Sequence, residues 1–122
     1  MNKKLVIRSN QIFEEHIDTI EEIHEGVIEK LENGIKIVYD DTVITLIESI
    51  VIIENKKTKM QIEQAKKNSI QYKTPYGTIE MVTEGKTLEL VEEPFLVKLS
   101  YQVKIGNAKE YVNELQIVVA EE

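Results

Sequence analysis

With 122 residues, no cysteine, 42% hydrophobic and 30% charged side chains, the chain is sized for one domain, residues 1–122, that holds a core without disulfide staples. Twenty-two acidic against fifteen basic residues leave a net charge of −7, and Arg8 is the one arginine. Nucleic acid and anionic membrane are thereby excluded as partners, because both need a basic face.

At the amino terminus Lys3-Lys4 precede an apolar run, Leu5-Val6-Ile7, that stops at Arg8. Three apolar residues are too few for a secretory core. The longest apolar stretch, Thr42 to Ile53, is broken by Thr45, Glu48 and Ser49, so no helical membrane span is expected. Together with the missing cysteines, this points to the cytoplasm.

The segment Ile12 to Leu31 places Phe13, Ile17, Ile20, Val27 and Leu31 at helical spacing, with Ile23 slightly off the stripe. Asn10 is placed to cap such a helix and Asn33-Gly34 to end it, although Gly26 interrupts it. Read alone, the segment is an amphipathic helix; as a strand its alternation fails around Ile17, Ile20 and Ile23.

Strand signals follow. Asn33-Gly34 before Ile35 to Tyr39 is a short hairpin signal. Val43 to Ile47 and Ile50 to Ile53 are β-branched runs. Lys57 to Glu63 alternates, with Met60 and Ile62 against Lys59, Gln61 and Glu63. Ser69 to Lys73 leads into Thr74-Pro75-Tyr76-Gly77, a type I turn with proline second and glycine fourth. Shorter runs, Thr78 to Thr83 and Lys86 to Val91, flank Gly85. Phe95 to Ile105 is the clearest strand: Phe95, Val97, Leu99, Tyr101, Val103 and Ile105 alternate with Lys98, Ser100, Gln102 and Lys104. Gly106-Asn107 then turns the chain into Tyr111 to Ala120, which puts Leu115, Ile117 and Val119 on one face.

The stretch Tyr72-Lys73-Thr74-Pro75-Tyr76-Gly77, followed by Ile79, Met81 and Thr83 and by a late Tyr101 in a long strand, resembles the YwiB-like proteins, bacterial calycin-type barrels of unknown function. Glu25-Gly26, Asn33-Gly34 and Tyr39-Asp40 fit earlier steps of that family. The chain departs from it around Glu54-Asn55-Lys56-Lys57, which has neither the longer connection nor the Arg-x-Gly step common there. The resemblance implies a strand from Phe13 to His24 against the local pattern. The expectation taken forward is all-β: an antiparallel lipocalin-like barrel of about eight strands, with a helix in 12–31 as the local-pattern alternative. The resemblance implies no reaction.

Catalytic and metal signatures are absent from the sequence. His16 and His24 would lie about 26 Å apart on one strand or about 12 Å apart on one helix, too far to share an ion. The acidic pairs Glu14-Glu15, Asp40-Asp41, Glu92-Glu93 and Glu121-Glu122 point to opposite faces if extended. There is no Gly-x-Ser-x-Gly, P-loop or dinucleotide fingerprint. No catalytic residue, metal site or cofactor is therefore assigned.

The tyrosines stand out: five, Tyr39, Tyr72, Tyr76, Tyr101 and Tyr111, against two phenylalanines and no tryptophan. A tyrosine inside a barrel offers a ligand an apolar ring and one hydroxyl, or it plugs the core. The leading functional expectation is non-enzymatic binding of a small, mostly apolar ligand in or at the mouth of the barrel. Its candidate residues are Tyr72, Tyr76, Met81, Leu99, Tyr101 and Ile117. The alternative is a structural or protein-interaction module whose barrel is filled and which acts through an outer face or a homo-oligomeric interface.

Overall fold

The computed structural model describes residues 2–56 and 58–120, with the backbone alone at residues 72 and 73. Ten strands follow one another: β1 (Asn2–Ile12), β2 (Ile17–Lys30), β3 (Gly34–Tyr39), β4 (Thr42–Ile47), β5 (Ile50–Glu54), β6 (Lys59–Glu63), β7 (Lys67–Thr74), β8 (Gly77–Glu92), β9 (Phe95–Ile105) and β10 (Tyr111–Val119). They form one sheet in the order β6-β5-β4-β3-β2-β1-β10-β9-β8-β7, and every neighbouring pair is antiparallel. The sheet curls until its first and last parts meet, giving a nearly closed, calycin-like barrel. No helix in the described residues is long and apolar enough to cross a membrane.

The alternation in Phe95–Ile105 holds as read. Val97, Leu99, Tyr101 and Val103 are buried and Lys98 and Lys104 exposed. Opposite them across β10 and β1 lie Leu115, Ile117, Ile7 and Leu5, also inward. Cross-strand partners share a face, so one inward residue fixes its neighbours around the barrel. Leu5, Ile37, Ile44, Val51, Val97 and Ile117 have almost no exposed surface, so the middle of the barrel is filled by its own side chains.

Closure depends on β8. Its pairing with β9 slips between Gly85 and Thr87, a bulge that bends the strand. At the bend Gly85 bridges Gln64, and its carbonyl accepts from Ala65 N at 3.0 Å. A β-carbon on Gly85 would sit 2.5 Å from the Glu63 carbonyl oxygen, so only glycine lets the two edges touch here. Thr83, 2% exposed, adds a side-chain tie: its Oγ1 donates to the Gln61 carbonyl at 2.8 Å.

Two expectations are corrected. The strands number ten among the described residues, not about eight. Between residues 34 and 63 the chain packs four strands of five or six residues, because turns at Asp40-Asp41 and Glu48-Ser49, with positive φ of 50° at Asp40 and 55° at Glu48, reverse it early. The helix in 12–31 does not form; Ile17–Lys30 is a strand along the whole of β1. The isoleucines that suggested a helical stripe meet no core: Ile17, Ile20 and Ile23 are 62%, 52% and 60% exposed. Their β-branched side chains suit an extended backbone, and β1 supplies the hydrogen-bonding partner.

Candidate functional site

At one end of the barrel, under the β3–β4, β5–β6 and β9–β10 turns, the inward side chains stop short of filling the lumen. A recess of about 230 Å³ remains. Its apolar wall comes from Ile7, Ile20, Ile44, Ile53, Met60 and Leu115, and its polar groups from Ser9, Glu22, Tyr39 and Tyr101. Each strand from β1 to β6, together with β9 and β10, contributes an inward side chain to its lining.

Tyr101 anchors the floor at 4% exposure. Asn113, directly opposite on β10, donates through Nδ2 to the Tyr101 hydroxyl at 2.5 Å, and Ser9 Oγ donates to Asn113 Oδ1 at 3.1 Å. This relay crosses β9, β10 and β1 and leaves the phenolic proton free to donate. Burial pushes the Tyr101 pKa up to about 12; the Asn113 bond works against this, and Tyr111 and Tyr39 add to it. The phenol is therefore neutral throughout the physiological range, too far from neutrality to trade protons efficiently.

Tyr39 stands on the opposite wall at the end of β3. Burial raises its pKa first, Glu22 and Asp40 raise it further, and a bond with Thr42 pulls it down. The His24 ring lies 5.1 Å from that of Tyr39, and His24 Nε2 is 3.0 Å from Glu22 Oε2. Outside this pair, Phe13 packs between His16 and Tyr111, with ring centroids 4.7 and 5.0 Å away. Burial also raises the Tyr111 pKa.

Among the residues singled out from the sequence, Tyr101 lines the recess. Met81, Leu99 and Ile117 face inward in the packed core, at 8%, 3% and 0% exposure, and are not part of the recess lining. Tyr76 sits at the tip of the β7–β8 turn, 99% exposed. The Tyr72 side chain lies outside the described residues. Sequence reasoning missed Ser9, Glu22 and Asn113. The signal for Ser9 and Asn113 is a polar residue in the inward phase of its strand: Ser9 follows Leu5 and Ile7 at steps of two, and Asn113 precedes Leu115 and Ile117.

The other end of the barrel holds a wider, shallower recess of about 410 Å³ over Ile28, Ile35, Phe95 and Val119, rimmed by Lys3, Lys30, Glu92 and Glu93. Lys30 Nζ and Glu92 Oε2 are 3.8 Å apart there, both well exposed. It is larger, but its polar side chains are solvated rim charges, and its buried lining residue, Ile35, is apolar. Convergence of a few placed polar groups on an apolar wall marks the smaller recess as the candidate site. Among the described residues no group of three or more histidines and carboxylates is placed to hold a metal ion.

Residues 5–117 match the model of a family described as a domain of unknown function, DUF1934. The chain belongs to this family. No curated protein matches it. Among solved structures it is similar to the ywiB protein from Bacillus subtilis, known from a crystal structure, with a TM-score of 0.73 and 16% identity over 98% of this chain and 92% of that one. At that identity the likeness speaks for the fold: the YwiB-like, all-β antiparallel architecture expected from the Tyr-x-Thr-Pro-Tyr-Gly stretch is the one found.

Proposed function

We propose that this barrel binds, without chemically converting it, a small and mostly apolar molecule in the recess between Tyr39 and Tyr101. The observation that carries the reading is the Tyr101 hydroxyl. It is buried, oriented by Asn113, and keeps its proton for an acceptor entering from the recess. A group so placed under apolar walls fixes a ligand's orientation while the walls supply the affinity.

Volume limits the guest. The recess equals the liquid volume of about eight waters, below the roughly 300–1,000 Å³ of drug-sized sites. The ligand is correspondingly small, with a hydrogen-bond acceptor at one end. Tyr101 forms the floor of the recess, and the absence of cysteine favours a cytoplasmic setting.

Native mass spectrometry of protein purified from its own cells tests this. The expected result is a small retained mass that Tyr101→Phe releases while the variant stays folded. A bare polypeptide mass for the wild type, with no displacement of a small apolar fluorescent probe by any extract fraction, would refute it.

A further inference from the structure

The first nine residues of β2 run with one side open. Residues Ile17–Glu25 pair with β1, but β3 joins β2 only from Gly26 to Lys30, so among the described residues no strand covers the other side of 17–25. The open edge is about 30 Å long. It shows Ile17, Ile20 and Ile23 at half exposure or more, the most exposed large apolar side chains on any strand described. Unpaired backbone combined with exposed β-branched residues is a template for strand addition.

We infer that this edge takes up an extended basic segment of a partner as an added antiparallel strand. Charge selects the occupant. From residue 14 to 25 the chain carries Glu14, Glu15, Asp18, Glu21, Glu22 and Glu25 and no lysine or arginine. Glu21 and Glu25 face Arg8 and Lys4 across β1, whereas Asp18 and Glu22 share the inner face with only His16 at 3.4 Å and His24 at 3.0 Å. Asp40 adds a further carboxylate at this rim, close enough to act on Tyr39 together with Glu22.

A second copy fits less well. Pairing antiparallel about Ile20 would align Ile17 with Ile23, but would also set Asp18 against Glu22 twice, and like charges directly opposite are destabilising. The spacing defines the partner. Asp18 and Glu22 are four residues apart with Ile20 between them on the same face, so the added strand carries Lys or Arg at positions four apart and an apolar residue midway.

The probe is the labelled peptide Val-Thr-Lys-Thr-Val-Thr-Lys-Thr-Val, with anisotropy giving affinity and amide hydrogen exchange giving location. Expected are binding that slows exchange within residues 17–25, loss of binding when alternate peptide nitrogens are methylated, and weakening by about tenfold or more in the Asp18→Lys, Glu22→Lys double variant. That variant should instead prefer the peptide with glutamate in place of lysine. Circular dichroism confirms its fold; if it fails to fold, the methylated peptide decides. Equal binding of the methylated peptide, no slowing at 17–25, or indifference to charge reversal would overturn the inference. So would a wild-type dimer joined through residues 17–25, which would make a second copy the occupant. Glu22 also lines the Tyr101 recess whereas Asp18 does not, so the Asp18→Lys single variant, with the methylated peptide, gives a reading that does not depend on a ligand in the recess.

Discussion

Replacing Thr83 by valine exchanges one hydroxyl for a methyl of nearly the same shape, at the place where the barrel closes. The hydroxyl donates at 2.8 Å to the Gln61 carbonyl, and the residue is 2% exposed, so no water stands ready to replace the bond. A buried carbonyl stripped of its donor costs about 1–3 kcal/mol. The added methyl returns roughly 0.8 kcal/mol by apolar burial, leaving a net loss of about 0.2–2 kcal/mol. For a chain of this length that is a fall in Tm of up to about 8 °C. Thr83→Ser is the control: it keeps the donor, gives up the methyl and loses about 1 kcal/mol. Urea denaturation gives the totals, but location separates the two variants. The Ala65 amide, bonded to the Gly85 carbonyl at 3.0 Å across the same seam, should exchange faster in the valine variant than in wild type and stay protected in the serine variant. A valine variant as stable as wild type, with Ala65 equally protected, would show that the seam is held by packing alone and that the Thr83 bond contributes nothing.

Further outcomes follow from the same geometry. Leu99→Ala, at 3% exposure in the core, should cost about 2–5 kcal/mol, and Lys104→Ala on the exposed face of β9 should stay within about 0.5 kcal/mol in denaturant melts; equal costs would mean the inward phase is misassigned. Gly77 has φ of +127° with open space around it, so Gly77→Ala should lose about 1 kcal/mol or more through backbone strain alone, while Tyr76→Ala, at 99% exposure, should leave the melting temperature unchanged. Tyr101 is an acid whose folded pKa, about 12, lies above the ordinary 10. Its contribution is fully present below pH 10 and is lost as pH rises from 10 towards 12, by about 3 kcal/mol in all; phenolate absorbance should show this late titration, and Tyr101→Phe should flatten the stability slope in that window without changing it below pH 9 (about one unit under the unfolded value).

The uneven legibility of this sequence has a physical cause. Phe95–Ile105 reads correctly because β8 and β10 flank it and one of its faces is sealed against the core, so the period of two is enforced at every step. Thr78–Thr83 and Lys86–Val91 read as separate runs because the slip between Gly85 and Thr87 shifts the inward phase by one. Met81 and Thr83 face inward before it, and Leu88 and Leu90 take the inner face after it, opposite Leu99 and Val97, with Leu88 half-buried and Leu90 still 37% exposed. A bulge is invisible to a pattern count, although Gly85 marks its place. Ile17–Glu25 is the hardest case because neither of its faces is buried, so no core selects a period and isoleucines three apart mimic a helix by chance of spacing. The site is obscured by a related effect. Tyr101 was legible, being an aromatic residue in a clean alternation. Ser9 and Asn113 meet it only through a register that joins the two ends of the chain, with Ser9 and Asn113 separated by 104 positions. What links these residues is that each is polar where its strand's phase demands an apolar one, close to the strand's end. In a barrel whose middle is packed solid, such violations at the rim mark where solvent or a ligand replaces the missing core, and Ser9 and Asn113 both satisfy that test, whereas Glu22, within a strand that no core phases, gives no such signal.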